Sequence, residues 1–64
     1  PGPIETEMTR QNLTDEMLSE LLRAVPAGRL GRPEEVAELV AWLAAPENTF
    51  VTGQNIAIDG GMTR

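Results

Sequence analysis

The sequence predicts an α/β segment of two helices and one strand rather than a complete domain. Three observations carry this. Two stretches repeat apolar residues at helical spacing, and one short stretch alternates as a strand does. The chain of 64 residues contains no Cys and no His, so neither disulfides nor the usual zinc ligand sets can staple it. A chain this short buries only about 60% of its unfolded surface. One strand cannot satisfy its own backbone hydrogen bonds, so its partners must come from other protein.

The first element is PGPIET, residues 1–6, a corner of two prolines and a glycine with a polar continuation through Gln11. Proline fixes φ and glycine permits a tight turn or a close approach, so the path of this corner is rigid. Asn12 to Pro26 reads as the first helix. Thr14 is its N-cap, Asp15 and Glu16 lie where the helix dipole favours negative charge, and Arg23 lies where it favours positive charge. Met17, Leu18, Leu21, Leu22 and Val25 form its apolar stripe, and Leu13 and Leu18 have the spacing of a hydrophobic staple. Pro26 ends the run.

A connector with two glycines, Ala27 to Arg32, leads to a second helix over 33–45, with Pro33 at N1, where its missing N–H costs nothing. Val36, Leu39, Val40 and Leu43 supply its stripe, Ala37, Ala41 and Ala44 lie beside it, and Trp42 points away from the stripe's centre. Pro46 to Thr49 forms a turn. Asn55-Ile56-Ala57-Ile58 alternates as a strand, bounded by Thr52-Gly53 and Asp59-Gly60-Gly61. Asp59 reads as a turn former rather than a catalytic acid.

The charge is −5, from ten carboxylates against five arginines, which disfavours nucleic acid and anionic membrane surfaces as partners. The apolar-rich stretch 36–45 is half the length needed to cross a bilayer, and the acidic N-terminus does not resemble a signal peptide. A cytoplasmic setting fits the absence of Cys.

Three motifs then stand in order: the Pro-Gly corner, the Gly-Arg-Pro-Glu-Glu-Val helix start within GRLGRPEEV, and the TGQ…DGG frame of the strand. Together they resemble the C-terminal segment of the short-chain dehydrogenase/reductase family, most of all its bacterial 3-oxoacyl-[acyl-carrier-protein] reductase-like members. The resemblance implies the C-terminal part of a Rossmann-type doubly wound parallel sheet. It implies a parent enzyme that moves a hydride between NAD or NADP and a carbonyl or alcohol substrate. The family's Gly-rich nucleotide turn and its catalytic Ser, Tyr and Lys lie upstream of the matching segment. This chain has no Tyr and no Lys, and its one Ser, Ser19, does not match the catalytic position. The chain alone is therefore expected to be inactive.

By the same resemblance, Pro1, Gly2, Ile4 and Thr6 form the cofactor-side loop within residues 1–11. Ile4 would offer its backbone to the nicotinamide carboxamide, and Thr6 its hydroxyl to the carboxamide or the pyrophosphate. The helix over 12–26 would be a substrate lid, with Met8, Met17, Leu18 and Leu21 on the substrate side. The last helix and the last strand, 55–58, would meet their counterparts across a two-fold axis of a tetramer or dimer, with Trp42, Ile56 and Ile58 at that interface. The implied partners are the N-terminal remainder of the enzyme, further copies of it, and a small carbonyl or alcohol substrate. No metal is implied. Two other readings fit the residues: a non-enzymatic helical interaction module, and a segment of a catalytically inactive family member.

Overall fold

The computed structural model describes residues 2–63, and among them three α-helices: α1, Glu7–Asn12; α2, Asp15–Arg23; and α3, Pro33–Ala44. α2 and α3 begin as the sequence predicts. The Thr14 hydroxyl accepts from the Met17 N–H at 3.1 Å, and Pro33 occupies the first turn of α3. The Glu35 carboxylate reaches back to the Arg32 N–H at 2.9 Å, which is the N3 half of a capping box. Arg32 has no acceptor with which to complete the other half. At the far end of α3, Asn48 donates from its side-chain amide to Leu43 O at 2.8 Å and to Val51 O at 3.0 Å. It thereby satisfies a carbonyl that the helix end leaves unpaired.

One expectation is corrected. Residues 7–11, read as part of a loop, form α1 together with Asn12. Its N-cap is Thr6, whose hydroxyl accepts from Thr9 N–H at 3.2 Å, with Glu7 in the first turn and Arg10 in the last. The segment carries a single apolar side chain, Met8, so no apolar stripe announced it. The helix expected over 12–26 is correspondingly shorter, Asp15–Arg23, closed by Ala24.

The strand expected over 55–58 finds no partner strand among the described residues. Asn55–Ile58 pairs in no ladder; its one bond of this kind is Gly2 N–H to Ile58 O at 2.8 Å. The pattern calls for a neighbour on each side, and the described residues offer none. Their only β-bridge is a parallel one between Ile4 and Gly31.

Among the described residues no helix packs against another. Val25, 3% exposed, is the one buried apolar side chain, while Phe50 is 83% and Val40 57% exposed. The chain exposes 5144 Å², where a compact protein of its 6.9 kDa exposes about 4000 Å². Its radius of gyration is 13.9 Å, against about 11 Å for a compact chain of this length. The apolar stripes are formed but not covered, as in one layer lifted from a larger fold.

What order there is converges on one place. The corner at residues 2–5, the connector 25–31 and the turn 58–63 are tied by backbone hydrogen bonds, including Ala27 N–H to Gly60 O at 3.0 Å. Gly60, at φ 64°, brings its backbone against Val25 and Ala27; a Cβ there would stand 2.6 Å from Val25 Cγ1.

Candidate cofactor-side corner

The corner is pinned on two sides. On one side, Gly2 donates to Ile58 O and lies so close to Asp59 that an added Cβ would be 2.7 Å from its Cα. Only a residue without a side chain fits there. On the other side, Gly31 N–H donates to Pro3 O at 2.9 Å and Glu5 N–H donates to Gly31 O at 2.8 Å. This is the parallel bridge, and its geometry turns the N–H and C=O of Ile4 itself toward the opposite edge. The Ile4 carbonyl accepts from the Thr9 hydroxyl at 2.8 Å, while no group of the described residues accepts from the Ile4 N–H.

The hydroxyls form a directed chain. Thr9 commits its one hydrogen to Ile4 O, so in the 3.0 Å contact between the two hydroxyls Thr6 is the donor. Thr6 also accepts from Thr9 N–H, which leaves it one acceptor lone pair and no hydrogen to give. Glu5 turns its carboxylate to Arg10, at 2.7 and 3.1 Å from the guanidinium nitrogens.

The connector is clasped by a second set of charges. Arg29 meets both oxygens of Glu35, at 2.8 and 2.9 Å, and donates to Leu30 O at 3.0 Å. The Arg29 guanidinium, helped by the Arg32 N–H, holds the Glu35 carboxyl down to about 2, and the Arg29 pKa is raised in turn. Asp59 also lies below its ordinary value. The Thr63 hydroxyl and then the Gly61 N–H donate to its carboxylate, and Thr63 N–H adds a third bond at 3.1 Å. A carboxylate so occupied is a turn former, as the sequence suggested.

A recess of about 100 Å³ opens between Pro3 and Ile4, Arg29 and Gly31, and Ile58 to Gly60. Pockets for drug-sized ligands run to about 300–1,000 Å³, so this recess is no dinucleotide site by itself.

Of the residues singled out for the cofactor, Gly2, Ile4 and Thr6 share this corner, and Pro1 lies outside the described residues. The lid residues are not brought together: Met8 is exposed on α1, and Met17, exposed, and Leu18 and Leu21, half-buried, lie on α2, which does not pack against α1. Of the interface residues, Trp42 and Ile56 are exposed and Ile58 is half-buried. Among the described residues no cluster of three metal-ligating side chains forms, and no helix is long and apolar enough to cross a membrane.

Sequence reading missed Thr9, Arg29, Gly31 and Glu35. Only Glu35 carried a signal, as an acid two residues after a helix-starting proline. The others depend on which segments meet.

The family model described as Enoyl-(Acyl carrier protein) reductase matches residues 1–63. The chain belongs to the short-chain dehydrogenase/reductase family. It corresponds to the C-terminal segment of that family. It is 52% identical over 62 residues to the 3-oxoacyl-[acyl-carrier-protein] reductase FabG of Vibrio cholerae, covering 97% of this chain and 25% of that protein. The FabG proteins of Escherichia coli strain K12 and Chlamydia trachomatis are 48% and 45% identical, with the same coverage. The chain thus spans about a quarter of the length of these relatives, which are reductases by name.

Proposed function

We propose that this segment belongs to an NAD(P)-dependent reductase and supplies its nicotinamide-side loop. The observation that carries the reading is the parallel bridge between Ile4 and Gly31, which directs the Ile4 N–H away from the connector. When bound, the nicotinamide would supply the hydride for reduction of a carbonyl, which by likeness to the relatives' names is that of a 3-oxoacyl thioester.

The residues present fit a carboxamide better than a diphosphate. The Ile4 N–H would donate to the carboxamide oxygen. Thr6, with one lone pair left, would accept from its NH₂. The groove beside Thr6 is lined by Glu5, Glu7 and Glu34 against Arg10 and Arg32, an acidic balance that disfavours phosphate. Of the two roles expected for the Thr6 hydroxyl, the carboxamide contact is therefore the one proposed.

In this reading α1 and α2 form the lid, with Met8, Met17, Leu18 and Leu21 toward substrate, and the uncovered stripe of α3 packs on the parent's sheet. Asn55–Ile58 completes that sheet as its last strand. Trp42, Ile56 and Ile58 then face a second copy. The acid/base groups come from the remainder of the enzyme, and the setting is cytoplasmic. A self-contained interaction module is disfavoured because Val25 is the single buried apolar side chain among the described residues.

The test uses the full-length enzyme, following loss of reduced nicotinamide absorbance with a 3-oxoacyl thioester. Ile4→Pro removes the N–H without touching either bond of the bridge. One net hydrogen bond of about 1 kcal/mol corresponds to about fivefold in affinity. We expect a rise of that size in the cofactor KM; an unchanged KM refutes the reading.

A further inference from the structure

The Glu35 carboxylate grips the connector on both sides of Gly31. It holds the Arg29 guanidinium two residues before that glycine and the Arg32 N–H one residue after it. Between these grips, both backbone groups of Gly31 are committed to the corner, its N–H to Pro3 and its C=O to Glu5. The approach is tight, since a Cβ on Gly31 would stand 2.8 Å from Ile4 Cδ1. Gly31 is thus the single point through which the connector sets the corner on that side, and Glu35 sets Gly31.

We propose that Glu35, acting through Arg29 and the Arg32 N–H, is the positioning residue that fixes where Ile4 presents its N–H. Glu35 does not touch the cofactor. It acts on the pose of the backbone that does, so the inference rests on the corner being the nicotinamide-side loop. A clasp of this kind has a distinct signature. Loosening it weakens recognition of the carboxamide while leaving the adenosine end of the dinucleotide unaffected, whereas general destabilisation weakens both.

The experiment measures dissociation constants on the full-length enzyme for three ligands. These are the oxidised dinucleotide it uses, the analogue with hydrogen in place of the carboxamide, and the corresponding ADP-ribose. The variants are Glu35→Gln and, so that the result does not hang on one protein, Arg29→Met, at a side chain that is about half exposed. We expect wild type to prefer the dinucleotide over the analogue, and both variants to reduce that preference by about two- to fivefold, the range of a partly exposed ion pair. ADP-ribose affinity stays at the wild-type value.

Three results overturn the proposal. If wild type does not discriminate the analogue, the corner does not read the carboxamide, and the reading of the site falls with the inference. If wild type discriminates and the variants keep the same ratio, the reading of the site stands and the positioning role of Glu35 falls. If ADP-ribose affinity falls in step with that of the dinucleotide, Glu35 has a purely structural role.

Discussion

Gly60→Ala tests the convergence point of the chain most sharply, because two separate costs act there. At φ 64° an alanine occupies the left-handed region, at about 1–2 kcal/mol. Its Cβ would also stand 2.6 Å from Val25 Cγ1 and 3.1 Å from Ala27 Cβ. Overpacking of this kind costs about 1–3 kcal/mol. Together they come to about 3 kcal/mol, or a fall in Tm of roughly 6–12 °C for a protein of about 250 residues. The assay is thermal unfolding of the full-length enzyme at fixed concentration for wild type, Gly60→Ala, Val25→Ala and the double variant. Val25→Ala removes the Cγ1 atom that the new Cβ meets. In that background the backbone cost and the 3.1 Å approach to Ala27 Cβ remain, so Gly60→Ala should cost about 1–2 kcal/mol less than on wild type, a coupling of the same size. Additive effects would refute the contact between Gly60 and Val25, and with it the account of how the last turn is held on the connector.

The isolated 64-residue chain should show a gradual loss of helix in urea with no sigmoidal transition, because among the described residues Val25 alone is buried and no helices pack together; a cooperative transition in circular dichroism contradicts this. Thr14→Ala removes the cap on Met17 N–H and should cost the α2 end about 1 kcal/mol, read in the full-length enzyme as faster amide exchange at Met17, whose rate is otherwise set by that bond. The Glu35 carboxyl is held down to about 2 from an ordinary value of 4.5. Its contribution is therefore complete above pH 4.5 and lost as pH falls through about 2. In acid titrations of the full-length enzyme, the difference in stability between wild type and Glu35→Gln should shrink across that window and stay constant above it; a difference that grows on acidification reverses the sign and refutes the ion pair with Arg29.

Local chemistry was legible in the sequence wherever one residue decides it. Thr14 caps α2 and Pro33 starts α3 because each acts on backbone groups within its own turn. The Asp59 turn is similar, since its carboxylate binds N–H groups only two and four residues on. α1 escaped notice because a six-residue helix with one apolar side chain carries no periodic signal, only its Thr6 cap.

The sequence by itself thus determined the family and the starts of α2 and α3, because motif spacing and caps are local. Only the tertiary structure decided that Gly31 bridges Ile4, that Thr9 takes the Ile4 carbonyl, and that Glu35 clasps Arg29. Gly31 reaches the corner across more than twenty positions of chain, and Arg29 and Glu35 lie on either side of a helix start. Contacts at such separations follow from how the backbone turns between them, and no periodicity in the residues records that path.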